Sequence, residues 1–309
     1  MNSKKKTIYT LFIFILICTP VLGQIELYST INVGLGYHPS LKMKGASNDR
    51  ASYCDEYINP NYQMIPGCDD MNRGVGDYYT VDFESSFGRS GSLGLGLQIT
   101  SSIAFELEHH FSVASYNETS EVNGFESRGV DREKLEGEIY KAEERLGDLK
   151  SSSFSGNVIF KLARLSSWSP YLGLGVGISS LQAEYASVWA RFHDAERINT
   201  AVINQLENAD QIKQNLAGAV SSAFGPMKDT VISYKILGGL EYHLSQKTSV
   251  MLKINYTNYG KLKSQELVWD PLRSHPPNIR LDDSEPIQSY TEIDNIYSLS
   301  LDFGVKINL

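Results

Sequence analysis

The sequence predicts an all-β chain closed into an eight-stranded antiparallel, up-and-down transmembrane β-barrel. Long extracellular loops join its strands, and two of them carry helical inserts. Three observations predict this: eight segments alternate apolar and polar residues, their connections alternate short and long, and the only long apolar run lies at the very start. The last segment shows the alternation best. From Tyr297 to Leu309 every second residue is apolar or aromatic, with Ser298, Ser300, Asp302, Gly304, Lys306 and Asn308 between them. A strand points alternate side chains to opposite faces. Such a segment either buries its apolar face in a core, as in a soluble sandwich, or turns it to lipid and closes its polar face into a lumen.

In chain order, the leader comes first. Lys4, Lys5 and Lys6 precede an apolar core from Leu11 to Cys18, and Val21-Leu22-Gly23 supplies the small residues of a cleavage site before Gln24. Residues 1–23 therefore read as a secretory signal peptide, the run being too short to span a bilayer. Ile17 stands where a lipoprotein signal ahead of Cys18 needs a small residue. Residues 24–309 then form one barrel domain. The alternating segments are Ile25 to Tyr37, Ser92 to Ile99, Ile103 to Ser115, Ser153 to Ala163, Tyr171 to Leu181, Val231 to Leu244, Ser249 to Tyr259 and Tyr297 to Leu309. Each is close to the nine to eleven residues that cross a bilayer at a barrel's tilt. Tyr78 to Phe87 alternates too. A ninth crossing would break the even count of such barrels. It reads instead as an extension of the second strand above the membrane, or as a hairpin in the first outside loop.

The connections after segments two, four and six are short, and those after one, three, five and seven are long. Membrane barrels alternate short periplasmic turns with long outside loops, and a soluble sandwich has no reason to sort its loops by parity. Two long loops carry helical spacing. Residues 131–149 place Leu135, Ile139, Ala142 and Leu146 on one stripe. Residues 186–224 do the same with Val188, Phe192, Ile198, Ile203, Leu206, Ile212 and Leu216, before a Gly225-Pro226 stop. Each stripe needs a partner, either within the protein or on another cell. Cys54 and Cys68 are the only cysteines of the exported chain. They form an even pair in a Pro- and Asn-rich loop in an oxidising compartment, and read as a disulfide.

Composition narrows the function. A net charge of −8 over 309 residues offers no footprint for nucleic acid. A hydrophobic content of 41% and a mean hydropathy of −0.25 argue against a bundle of membrane helices and allow half-apolar strands. With the apolar faces outward, the inward set contains Glu26, Glu106, Glu108, Glu241 and Asp302 against Lys161, Lys235, Lys253 and Lys306, with His110 and His243 nearby. Unpaired charges in a narrow lumen are costly, and an eight-stranded barrel is only just wide enough for its own side chains. The expectation is a self-paired, plugged lumen charge network of Glu26, Glu106, Glu108, His110, Lys161, Lys235, Glu241, Lys253, Asp302 and Lys306. A conducting pore is the alternative. Gly94, Gly96, Gly173, Gly175 and Gly177 supply room for the longer side chains. Tyr37, Tyr116, Tyr185, Tyr256 and Tyr259 near the long loops, and Trp168, Tyr171 and Tyr242 near the short turns, suggest two interfacial girdles. His109 and His110 face opposite sides, and no nucleophile or metal motif appears in its required context. No catalytic residue, cofactor or metal ligand is assigned. A lipid-acting barrel enzyme using His110 remains a second alternative.

Ser169-Pro170-Tyr171-Leu172-Gly173-Leu174-Gly175-Val176-Gly177, Ile236 to Leu244 with Val250 to Gly260 after it, and the closing strand together resemble the bacterial outer-membrane β-barrel superfamily that holds OmpA-type and Opa-type proteins. More narrowly they resemble the surface antigens of rickettsia-like intracellular bacteria. The resemblance covers the strands. It implies residence in the outer membrane among its lipids and insertion by the barrel-assembly machinery, with Leu309 keeping the apolar phase where the family's signal usually ends in Phe. The function expected is non-enzymatic: a surface-exposed antigen or adhesin with structural support of the membrane. Its long loops would meet host or environmental surface ligands, and no nucleic acid. A narrow porin for small solutes is the alternative.

Overall fold

The computed structural model describes residues 25–47, 59–65, 78–121, 124–126, 137–163, 165–198, 203–270 and 288–309. The leader, Cys54 and Cys68 and residues 131–136 lie outside the described residues. The strands are β1 (Glu26–His38), β2 (Leu41–Ser47), β3 (Tyr78–Phe83), β4 (Ser86–Gln98), β5 (Ile103–Glu121), β6 (Gly124–Glu126), β7 (Ile139–Lys161), β8 (Trp168–Arg191), β9 (Val220–His243), β10 (Thr248–Asp270) and β11 (Gln288–Asn308). Every pairing is antiparallel, and β1 pairs with β11 from Tyr28↔Asn308 to Tyr37↔Leu299, which closes the ring.

Eleven strands make eight walls because three of them continue others. Along β11, Tyr37 pairs with Leu299 and Lys42 with Asp294, so no residue is gained or lost between β1 and β2. The same holds between β4 and β3, where His38 pairs with Ser86 and Leu41 with Phe83. Tyr78–Phe83 is thus the upward extension of the second wall. The short β6 carries on from β5 and pairs with β3.

The walls are far longer than a bilayer requires. β8 and β9 have 24 residues each, roughly twice a membrane crossing. Burial explains the excess. On β8 the outward residues run Leu172, Leu174, Val176, Ile178 and then Ser180, Gln182, Glu184; the inward ones run Gly173, Gly175, Gly177, Ser179 and then Leu181, Ala183, Tyr185. The apolar face crosses from outside to inside at Ser179-Ser180. From Trp168 to Ile178 the exterior band is roughly 25 Å tall at a barrel's tilt, the height of a hydrocarbon layer. Above it the barrel is built like a soluble one. Its lumen is filled by Leu41, Met43, Val81, Phe83, Leu146, Leu149, Leu181, Met227, Leu262, Ile293 and Ile296, packed with Tyr79, Tyr116, Tyr185 and Tyr259.

Several walls make this inversion with an irregularity at the same level. On β10 the register shifts around Gly260 (φ +75°), so Tyr259 and Leu262 both point inward while Lys261 and Lys263 face out. Asn295 (φ +56°) does this on β11, between inward Ile293 and Ile296. A bulge adds one residue and swaps the faces of everything beyond it.

Bulges also correct the helical expectation. Ile139–Leu149 is strand, the upper part of β7, and residues 186–191 and 220–224 belong to β8 and β9. Register shifts at Ile139/Lys141 and Leu146/Leu149 interrupt the two-residue period. The buried positions 139, 146 and 149 then fall at spacings that imitate a helix. A helix remains at α1 (Ala209–Leu216), with Ile212 and Leu216 buried against Ile198 and Ile203 of its own insert. Asn208 at its N-terminus donates to Asn59 of the first long loop at 2.7 Å.

The aromatic expectation is corrected in part. Tyr37 stacks on Phe87 (5.4 Å) and Tyr256 on Tyr297 (5.5 Å) at the upper edge of the band, and Trp168 on Tyr242 (4.7 Å) at the lower edge. Tyr116, Tyr171, Tyr185 and Tyr259 are buried instead. Their ring bodies fill the lumen; the hydroxyls of Tyr116 (2.7 Å from the Pro39 carbonyl), Tyr185 and Tyr259 find polar partners, and that of Tyr171 has none among the described residues.

Candidate functional site in the barrel lumen

The membrane half of the lumen is a stack of polar layers. At its centre Glu108, fully buried, accepts from Lys235 (2.7 Å), Lys253 (2.6 Å) and Asn157 (2.9 Å). Glu106 lies two residues along the same inward face, 3.7 Å from Lys253, and accepts from Thr30 at 3.4 Å. Two lysines therefore face two glutamates with almost no solvent. Strand alternation on β5, β9 and β10 brings these four side chains inward, and the barrel's stagger sets them at one height.

Below them Glu241 lies 3.2 Å from Lys161, 3.3 Å from Lys306 and 3.7 Å from His243. The Lys306 ammonium also sits over the Tyr28 ring, 4.1 Å from its centroid. Under this layer the lumen opens into a cup of about 460 Å³ at the short-turn end, lined by Glu26, Gln98, Lys161, Glu241, His243 and Lys306 among others. Glu26 is exposed at this mouth and stands apart from the buried groups. Above the central layer Asp302 is held by neutral donors: Ser90 at 2.5 Å, Asn255 at 2.5 Å and Ser300 at 2.9 Å. His110 is buried beside this layer, and its ring nitrogens have no hydrogen-bond partner among the described residues. His109 points outward and meets Ser152 at 2.9 Å.

The charges of the membrane-half lumen thus balance at four acids (Glu106, Glu108, Glu241, Asp302) and four lysines (Lys235, Lys253, Lys306 and the half-buried Lys161). Charges taken out of water persist only when paired and hydrogen-bonded. Their neutral partners Thr30, Asn157 and Asn255 were legible only as inward-facing polar residues, and Ser90 lies outside the alternating segments read from the sequence. Glycines make the space. A Cβ on Gly96 would run into the Tyr28 ring, and one on Gly175 into the Asn157 carboxamide. Gly96→Val is expected to cost about 1–3 kcal/mol or to prevent closure. Loss of the heat-modifiable gel shift would report it, and Gly96→Val combined with Tyr28→Ala should recover part of the loss.

A second polar cluster lies above the membrane band, where the sequence reading placed a helix. Glu144 of upper β7 is fully buried. It accepts from Tyr185 (2.5 Å), Ser187 (2.7 Å) and Trp189 (2.9 Å), while Tyr79 and Tyr185 share a 3.0 Å hydroxyl contact. Burial pushes its carboxyl up to about 7, and these donors offset only part of that rise.

No known family model matches the chain, and no curated protein does. Among solved structures, the outer membrane protein OprG from Pseudomonas aeruginosa is 11% identical, with 94% of this chain and 100% of that one covered and a TM-score of 0.44. Neisserial surface protein A is 12% identical over 92% and 97%, with a TM-score of 0.38. Ail, the attachment invasion locus protein of Yersinia pestis, solved with the heparin analogue sucrose octasulfate, is 10% identical over 90% and 99%, with a TM-score of 0.28. At these identities and TM-scores the likeness adds nothing to what the chain's own closed ladder establishes.

Proposed function

We propose that the chain is a non-conducting, non-enzymatic outer-membrane barrel. Its membrane half is an anchor, and its tall upper half and long loops form a surface-exposed, antigen- or adhesin-like platform. One observation carries the reading: the apolar face is outside the barrel below Ser179-Ser180 and inside it above. A soluble barrel has no use for an exterior band of Leu35, Leu93, Phe105, Phe154, Leu174, Ile232, Ile254 and Phe303, each more than a third exposed. The self-paired lumen and the apolar plug above it speak against a path for solutes, and against the porin alternative. The exposed sides of the upper walls, with the α1 insert, are the part left to meet a partner.

The test is reconstitution of the mature chain in phosphatidylcholine bilayers. It is expected to co-float with vesicles, to show heat-modifiable migration, and to give no stable open conductance in planar-bilayer recordings. A chain that stays soluble without detergent would overturn the membrane reading, and a steady conductance would restore the porin reading. The same vesicles treated with protease should lose the long loops and keep the eight crossings.

A further inference from the structure

The strand walls carry few unpaired cations, and those few share one row. Across the hydrogen-bonded ladder Arg89 pairs with Val113, Val113 with Lys150, Lys150 with Gln182 and Gln182 with Lys228. All three cations are exposed on the outer face, and none has an ion pair among the described residues. Every other described lysine or arginine on the strands has a partner. Lys141, Arg145, Lys161, Lys235, Lys253, Lys261, Lys263 and Lys306 pair with carboxylates, and Lys42, Lys44 and Arg191 also make interactions. Unpaired cations strewn over a surface would not fall into one ladder row with neutral residues between them.

The row straddles the upper edge of the apolar band. On β4 Arg89 sits one outward position inside Phe87; on β7 Lys150 is two outward positions beyond Phe154; on β9 Lys228 is two beyond Ile232. Neighbouring cations are two strands apart, roughly 10 Å. The tilt of the walls makes the row climb by about 10 Å from Arg89 to Lys228, a span that long side chains can close by reaching along the surface. The outward-facing acids of these walls lie on the far side, Asp148 beyond Lys150 and Glu184 beyond Gln182, while Asp229 beside Lys228 has the inward phase opposite Leu181. Moving outward, β7 thus reads apolar, then cationic, then acidic, while on β4 Phe87 lies beyond Arg89.

We infer that Arg89, Lys150 and Lys228 form a docking face for the phosphate groups of anionic membrane lipid on the long-loop side of the bilayer. This rests on the membrane reading above. A phospholipid presents acyl chain, then phosphate, in the same order that β7 presents apolar residues, then a cation. Guanidinium and ammonium groups at this depth bind phosphate oxygens while their stems stay against the chains. The acids beyond repel the anion from higher positions and fix its depth. Each cation near an anionic surface adds a modest, salt-sensitive attraction, and three on one row act together.

The test uses the full mature chain in mixed micelles and in nanodiscs. Native mass spectrometry would count retained phosphatidylglycerol against phosphatidylcholine offered in equal amount. The wild type should retain phosphatidylglycerol at least tenfold better, and 0.5 M NaCl should remove most of that preference. The triple variant Arg89→Gln, Lys150→Gln, Lys228→Gln should lose it while keeping heat-modifiable migration. Lys213→Gln with Lys247→Gln, which removes unpaired cations of α1 and of a short turn, should keep it. Equal retention of the two lipids by the wild type would overturn the proposal. So would a triple variant that still prefers phosphatidylglycerol, or a control pair that loses as much. Flotation on pure phosphatidylcholine vesicles separates the two readings. A chain that fails to float refutes the membrane barrel itself, whereas one that floats without preferring the anionic lipid refutes only the docking face.

Discussion

Glu108→Ala is expected to cost about 3–5 kcal/mol of barrel stability, the penalty for breaking a buried ion pair from one side. The substitution leaves the Lys235 ammonium, 3% exposed, without its carboxylate, and leaves Lys253 only the more distant Glu106 at 3.7 Å. It also removes the acceptor for Asn157. Neither lysine can swing to water, because Tyr28, Tyr171 and Leu237 pack the lumen beneath the layer and the apolar plug closes it above. Urea unfolding from lipid, followed by gel mobility, should show the midpoint collapse. The companion double variant Glu108→Leu with Lys235→Met should recover most of the loss, since it removes one charge of each sign and leaves Lys253 to Glu106. Apolar replacement of a buried pair is often neutral or stabilising. A Glu108→Ala variant within 1 kcal/mol of wild type would mean that water reaches the layer and that the pairing contributes little.

The same layer marks where the sequence was readable and where it was not. Inward and outward faces of the membrane half follow from a strict period of two, so Glu106, Glu108, Lys235, Lys253, Asp302 and Lys306 could be placed in the lumen by counting. Which acid meets which lysine could not, because that depends on the stagger of the closed ring, which brings β5 next to β9 and β10 across the lumen. Glu26 shows the limit in the other direction: it has the inward phase, yet the wall ends there and the side chain is exposed. Above the band the period itself breaks. Each bulge shifts the phase by one residue, so Ile139 and Leu146 looked helical, and the core they build with Leu149 was invisible to periodicity. Tyr116, Tyr185 and Tyr259 keep the inward phase of their strands, with Ala114, Ala183 and Thr257, so counting by two puts them in the lumen; the girdle reading went by nearness to the long loops and ignored that phase. Of the two readings that the alternation of Tyr78 to Phe87 allowed, an extension of the second wall or a hairpin in the first outside loop, the extension holds.

Glu144 is the residue that this break concealed, and it makes the upper half sensitive to pH. Its carboxyl lies in upper β7, roughly 30 Å along the strand from Phe154 at the band's edge, and is surrounded by the neutral donors Tyr185, Ser187 and Trp189 with no cation among its hydrogen-bond partners. Burial raises it from 4.5 to about 7 in the folded chain. The folded state therefore holds a proton that the unfolded chain releases between those values. Stability from this group is fully present below about 4.5, falls as pH rises through 7, and levels off above, a swing on the order of 3 kcal/mol. Glu144→Gln keeps the shape and stays neutral, so it should flatten this slope. It should match the wild type near pH 5 and exceed it near pH 8. Trp189 donates to the same carboxylate, so its fluorescence during urea unfolding reads the upper half directly, against a background from the other tryptophans that Trp189→Phe would define. A wild type whose upper half is as stable at pH 8 as at pH 5, or a Glu144→Gln variant that retains the slope, would show that water reaches this carboxylate and that the upper core is looser than its packing indicates.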